Sequence, residues 1–386
     1  MKRIKALSLF SNVGVSEAYF ENVGIDVLIA NEIEEKRCKF YSHIYPRVQM
    51  ICGDITNSTI KNKIIQLSKA KDIELIIATP PCQGMSTAGK MDKNDSRNAL
   101  ICHAVEIIKC VKPKYVFLEN VPEQLKTKIN IDGKSVLIPD YLHAEFDDLY
   151  NFNKDFLINS ADYGVPQLRE RAIILLVRKD QDKIWSFPKQ HAKRVTLREA
   201  IGNLPSLDPE ISDLNEKDAL KVFPDFYKKK EEGLSISKWF YPPSHPYRQI
   251  YAMMHTPTGK SAFSNETLFA PKKLDGKPVK GFANTYKRQE WDKPAFTITM
   301  YNRTIGSQNN VHPGRLIGRD ENGNNIYSDP RVLTIYEIMI VMSLPKNWNI
   351  PEWASDHFIR AVIGEGVPPL LSKEIMKELV KLHNEN

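Results

Sequence analysis

The sequence predicts an α/β protein: a doubly wound, mostly parallel sheet accompanied by a second, smaller, irregular domain. Three observations carry this. Residues 4–110 alternate short apolar runs with helix-like segments, the pattern of βαβ units. After about residue 190 that alternation breaks down into Pro-rich and Lys-rich stretches such as Phe240-Tyr241-Pro242-Pro243 and Lys228-Lys229-Lys230. Helical periodicity then returns at Leu333–Leu344 and Pro368–His383, so the chain is expected to come back to its first domain at the end.

The elements follow in order. Ile4–Phe10 reads as the first strand, Glu17–Asn22 as its helix, Val27–Asn31 as the second strand and Lys36–Tyr45 as the next helix. Gln49–Cys52 and Leu75–Ala78 supply two more strands, and Ala99–Cys110 is an amphipathic helix. Lys114–Leu118 is a strand ending at Glu119, and Phe156–Ser160 with Ala172–Val177 forms a late hairpin. Pro369 suits the first turn of the last helix, since a helix start needs no N–H there. The expected division is 1–194 for a first domain, 195–330 for the irregular one and 331–386 for the return.

Bulk properties bound the answer. A chain of 386 residues with 42% hydrophobic content exceeds one typical domain and carries enough apolar material for a core and a smaller second unit. The net charge of +7 is compatible with a polyanionic partner and equally with a solvated surface. The five cysteines, Cys38, Cys52, Cys82, Cys102 and Cys110, show neither a Cys-x-x-Cys pair nor zinc spacing, which points to a reduced compartment and no structural metal. Met1-Lys2-Arg3-Ile4-Lys5 runs straight into a strand and no apolar stretch approaches ~20 residues, so neither a signal peptide nor a membrane span is expected.

Pro80-Pro81-Cys82-Gln83-Gly84 follows the apolar run Leu75–Ala78. A buried strand that stops at two prolines leaves the next side chain at the carboxyl end of a sheet, where open α/β sheets hold their chemistry. Cys82 is thereby a candidate nucleophile, though a lone cysteine there is as well read as a small buried hydrophobe. Its company decides: Phe10-Ser11-Asn12-Val13-Gly14, Asn31-Glu32-Ile33, Gly53-Asp54-Ile55, Glu119-Asn120-Val121, Gln167-Leu168-Arg169-Glu170-Arg171 and Gly364-Glu365-Gly366-Val367-Pro368-Pro369 occur in order with it. With these motifs, from residue 7 to about 375, the chain strongly resembles the DNA (cytosine-5) methyltransferases. The resemblance implies a Rossmann-like fold that uses S-adenosylmethionine to methylate C5 of cytosine.

For the cofactor, a strand-to-helix turn rich in small residues lets backbone N–H groups approach a ligand. Phe10–Gly14 has that place, but Asn12 and Val15 stand where the family has glycines, and Glu365 where it usually has Asn. Asn12 tolerates positive φ; Val15 does not imitate glycine. Glu32, some 20 residues after the turn, is placed for ribose hydroxyls, and Asp54 for an adenine amine. The resemblance assigns Phe10, Asn12, Gly14, Glu32, Ile33, Asp54, Ile55, Pro81 and Leu100 to the cofactor pocket, with Val367 closing it.

The implied chemistry explains the catalytic set. C5 of cytosine is a poor nucleophile, so a thiolate adds to C6 and turns C5 into an enamine carbon that can take the sulfonium methyl. Cys82 supplies that thiolate. Glu119 can bond N3 and the exocyclic amine, with a pKa raised by burial. Arg169 and Arg171 alternate, and the resemblance has Arg171 contact O2 of the base while Arg169 supports Cys82. No residue identifies itself as the base that removes the C5 proton; water is a candidate. A stacked base must be flipped out to reach a thiol, and the polar loop Gln83–Arg97 is suited to close over it.

The substrate implied is double-stranded DNA. Residues 271–320 hold ten Lys or Arg against four Asp or Glu, interleaved with Tyr286, Trp291, Tyr301 and Asn309-Asn310. Arg303 and Asn302 either read base edges or pack and contact phosphate. Arg194–Ile201 and Asp292–Thr299 resemble elements flanking the family's target-recognition segment. The expectation is a cytoplasmic modification enzyme of a bacterial or phage restriction system, a monomer on DNA, with a possible cognate endonuclease and no metal. The alternatives are a tRNA cytosine-5 methyltransferase, a catalytically silent DNA-binding relative and, remotely, a nicotinamide-binding protein.

Overall fold

The computed structural model describes residues 2–81 and 100–385. Cys82 and the Gln83–Arg97 loop lie outside the described residues. The first half supplies β1 (Ile4–Leu9), β2 (Ile25–Glu32), α1 (Glu35–Ile44), β3 (Gln49–Cys52), α2 (Ser58–Ala70), β4 (Leu75–Ala78), α3 (Leu100–Val111) and β5 (Tyr115–Asn120). A hairpin, β6 (Lys128–Ile131) and β7 (Lys134–Leu137), leads to α4 (Ile138–Phe146), β8 (Tyr150–Phe152), β9 (Leu157–Asn159) and β10 (Glu170–Arg178). The main sheet has the order β3-β2-β1-β4-β5-β10-β8, with β9 paired to β10. Pairings among β1 to β5 are parallel, and β10 runs antiparallel to β5, β8 and β9.

Strand order reverses between β1 and β4, the switch point at which such sheets bind ligands. The chain leaving β1 and the chain leaving β4 are tied there: Thr79 N–H donates to Leu9 O (3.3 Å) and its hydroxyl to Phe10 O (3.1 Å).

Alternation along the strands fills both faces. Leu7, Leu9, Ile76, Val116 and Leu118 pack under α2, α3 and α4 through Ile64, Ile101, Val105, Ile108 and Phe146. Ala6, Leu75, Ile77, Phe117 and Leu175 turn the other way, against α11 (Pro369–Asn384). That helix buries Leu371, Ile375, Met376, Leu379 and Val380. At about 2 kcal/mol each they contribute roughly 10 kcal/mol, comparable to the whole stability of a domain. The sheet therefore depends on the C-terminal return.

Between β10 and the return lie short elements: α5 (Leu197–Ile201), β11 (Glu210–Ile211), α6 (Glu216–Val222), α7 (Phe226–Ile236), β12 (Ser244–His245), α8 (Tyr247–Met254), β13 (Leu316–Arg319) and β14 (Asn325–Tyr327). Two helices, α9 (Ile335–Val341) and α10 (Asp356–Glu365), precede α11. A further apolar cluster joins Val13, Val15 and Phe40 to Leu197, Ile298, Ile338, Ile359 and Ile363.

Some expectations are corrected. Glu17–Asn22 is not an α-helix but lies across two 3₁₀ turns, Val15–Glu17 and Glu21–Val23. The segment is bounded by left-handed Gly14 and Gly24, and the buried Glu17 side chain bonds Ser8 and Tyr41 instead of facing solvent. Helix α2, which sequence patterning did not reveal, buries only Ile64 and Ser68 among its thirteen residues, and its start is an Asn57 cap.

Candidate active site

The last described residues before Cys82 are Pro80 and Pro81. Asn120, at the end of β5, donates to Pro80 O (3.0 Å) while its own Oδ1 accepts from Val121 N–H. This cross-link ties the end of β5 to the chain leaving β4. Asn120 was given no role from sequence, although it sits inside a motif already singled out.

One residue earlier, Glu119 is buried on the same strand end, opposite Ile173 of β10. Arg171 Nε meets Glu119 Oε1 at 2.8 Å, and its Nη1 donates to Glu170 O. Among the described residues Glu119 Oε2 and Arg171 Nη2 make no hydrogen bond. Burial raises the Glu119 pKa above the ordinary carboxylate value, and the nearby charges of Arg171 and Arg169 offset that only in part. Arg169 and Arg171 are both buried, so neither is a surface charge.

Arg169 is a clamp. Its Nη1 donates to Ile298 O (2.7 Å) and its Nη2 to the carbonyls of Gly364, Glu365 and Gly366 at 2.8, 3.3 and 2.8 Å. Gln167, also buried, accepts from Ile298 N–H and donates to Val341 O. The segment Asp292–Thr299 is thus laid along the approach to β10, with Leu168 N–H bonded to Ala295 O.

The turn after β1 runs through left-handed Phe10 (φ 56°), Asn12 (φ 49°) and Gly14 (φ 75°). Gly14 is required twice over: by its φ, and because a Cβ would lie 2.3 Å from the Tyr45 ring, whose hydroxyl donates to Gly14 O. Val15 needs no glycine backbone. It is buried against Gly366, where a Cβ would come 2.6 Å from its own.

Glu32 is buried at the end of β2. Its Oε2 accepts from Asn12 N–H (2.9 Å), and its Oε1 from the N–H groups of Ile33 and Glu34. Beside it Ile33 is 60% exposed, an apolar side chain held out at the sheet's edge. Asp54 is exposed, with Oδ1 taking Thr56 N–H. Ile55 belongs to the core beneath the sheet and Leu100, at the start of α3, packs against that core, while Val367 is buried with the residues facing α11. Phe10 and Pro81 are half-buried.

The basic stretch is less available than its composition suggests. Arg288 is fully buried and donates to four carbonyls, those of Met253, His312, Ser328 and Asp329. Tyr286 and Trp291 are core residues; Tyr301 is exposed. Of the two base-edge candidates, Asn302 is buried with its amide given to Thr299 O and Arg360 O, so it packs rather than reads. Arg303 is exposed, 3.5 Å from Asp356.

Residues 4–381 match the family model for C-5 cytosine-specific DNA methylases. The chain is 43% identical over 391 residues to the Type II methyltransferase M1.HgaI of Avibacterium volantium, covering 100% of this chain and 99% of the relative. It is 28% identical to M.XorII of Xanthomonas oryzae, covering 99% and 85%. Its fold is similar to that of the methyltransferase EhMeth of Entamoeba histolytica, with a TM-score of 0.62 at 16% identity and 99% of each chain covered.

Proposed function

The chain belongs to the C-5 cytosine-specific DNA methylase family, and from that premise we propose that it methylates C5 of a specific cytosine in double-stranded DNA through a flipped base and a covalent Cys82–C6 adduct. It is a DNA (cytosine-5-)-methyltransferase of the Type II kind. Service in a bacterial restriction-modification system, action as a cytoplasmic monomer and a cognate endonuclease belong to the proposal. So does the division into a catalytic unit, 1–194 with 331–386, and a target-recognition unit, 195–330. No helix among the described residues is long and apolar enough to cross a membrane.

The observation that carries the reading is the Glu119–Arg171 pair, incomplete among the described residues, at the ends of the paired strands β5 and β10. The Cys82 thiolate attacks C6. Burial raises the Glu119 pKa and so favours the protonated form, which gives its proton to N3 as the ring accepts the electron pair. Arg171 Nη2 donates to O2. Once C5 carries the methyl group, a base takes the C5 proton, N3 returns its proton to Glu119, the C5–C6 double bond re-forms and the Cys82 thiolate leaves.

The family implies S-adenosylmethionine, which when bound supplies an electrophilic methyl group. The residues present fit it: Glu32 retains acceptor capacity for ribose hydroxyls, Ile33 offers an apolar face for adenine, and the left-handed turn exposes backbone to the ligand. Arg169 acts at this end as well, holding Gly364–Gly366 over the turn.

The test is transfer of labelled methyl from S-adenosylmethionine to duplex DNA of mixed sequence, with tRNA alongside. The expected result is 5-methylcytosine in DNA that vanishes with Cys82→Ala. Label confined to tRNA, or DNA binding with no transfer, would overturn the reading.

A further inference from the structure

Three carboxylates converge where the first turn, the end of β2 and the end of α10 meet. Glu32 is buried and held by three backbone N–H groups. Glu34 and Glu365 face it across Arg37, whose Nη1 lies 2.8 Å from Glu365 Oε2 and whose Nε lies 3.2 Å from Glu34 Oε2. Arg37 and Glu365 are well shielded, their side chains 18% and 23% exposed. The Asn12 amide donates to Val362 O (3.2 Å) and to Glu365 Oε2 (3.4 Å), so the residue whose N–H anchors Glu32 is itself fastened to the C-terminal segment. Arg169 holds that segment from the opposite side.

We propose that Arg37 and Glu365 are positioning residues for the nucleotide end of S-adenosylmethionine, acting through Asn12 and Glu32 as a charge-compensated latch between the cofactor turn and the end of α10. The inference rests on the cofactor reading above. Without Arg37, a shielded Glu365 stands uncompensated beside Glu32 and Glu34, and like charges at this range repel strongly in a poorly solvated site. Either Glu365 swings away and releases Asn12, or Glu32 turns from its three amides. Both outcomes spoil the carboxylate that meets the ribose. With Glu365 neutral, Arg37 is no longer needed to hold the site together, and a glutamine retains an oxygen for the Asn12 amide. Glu365, which departs from the residue usual in the family, is thereby tied to Arg37 rather than to the cofactor's charge.

The experiment is calorimetric binding of S-adenosylmethionine and of its demethylated product to the full chain, native and with Arg37→Met, Glu365→Gln, both together, or Arg37→Lys, alongside the thermal midpoint of each protein without ligand. The expected result is a tenfold or greater loss of affinity for Arg37→Met. Most of it returns in the double variant, Glu365→Gln alone changes less than threefold, and Arg37→Lys is intermediate. Ligand-free midpoints stay within a few degrees of native. Equal affinity in native and Arg37→Met, or a double variant as weak as the single one, overturns the latch. Failure of the native chain to bind either ligand overturns the cofactor reading itself. If Arg37→Met does not fold, Arg37→Lys with and without Glu365→Gln provides the same cycle.

Discussion

Two buried arginine–glutamate pairs lie in different regions of this molecule and treat their carboxyl groups in opposite ways. In the segment before α9, Arg331 grips Glu337 with both terminal nitrogens (2.7 and 3.0 Å). It also meets Asp329 (2.8 Å) and gives Nε to Leu207 O. Glu337 further accepts the Thr334 N–H in a capping box. Burial pushes its pKa up, but Arg331, with His312 and the Thr334 N–H, outweighs that, and the carboxyl sits below its usual value. At the end of β5, Glu119 has one Arg171 contact, and there burial wins. The difference teaches what completeness means for a buried pair. A finished network holds a fold, whereas an unfinished one leaves a proton, an acceptor and a donor for something else to use.

Breaking each pair from its acid side separates these roles. The largest effect is expected from Glu119→Gln, which removes the transferable proton and lowers methyl transfer by roughly 10² to 10⁴-fold, with the unfolding midpoint near native because a neutral amide replaces a carboxyl group that burial already biases toward its neutral form. Glu337→Gln should do the reverse. It leaves Arg331 buried and undercompensated, costs about 3–5 kcal/mol by denaturant unfolding, and spares kcat in the fraction that stays folded. Loss of stability for Glu119→Gln equal to that for Glu337→Gln would mean that both pairs are structural.

How much of this was legible in sequence follows the same division. The strands of the first sheet declared themselves because both their faces are buried, so apolar runs such as Leu75–Ala78 stand out without any partner. Glu32 and Glu119 stood out because a strand ends at each, and Arg171 through the family resemblance. The Arg331–Asp329–Glu337 centre was not, since its members are ordinary charges in sequence and only tertiary burial makes them a network. For the same reason Arg288, Tyr286 and Trp291 read as a basic, aromatic surface and are instead interior. Arg37 gave no signal either, because its partner Glu365 is 328 residues away, a distance read from the numbering alone.

A third buried carboxyl group sharpens the comparison because, among the described residues, no cation pairs with it. Glu17 is 4% exposed and, among the described residues, its side chain is bonded only by the hydroxyls of Ser8 and Tyr41, and burial pushes its pKa up to about 7 despite them. Its folded pKa lies above the unfolded value of 4.5, so the folded state binds the proton more tightly. The stability linked to this group is complete below pH 4.5 and is lost as pH rises through about 7. Between pH 6 and 8 that loss is about 1 kcal/mol, the smallest of the effects and the one with a distinctive sign, since Glu337 contributes its stability above its unfolded pKa and loses it only in acid. Denaturant midpoints measured at both pH values should fall toward alkaline pH in the native chain relative to Glu17→Gln, whose amide cannot ionise. Parallel pH slopes in the two proteins would show that Glu17 keeps one protonation state throughout that range.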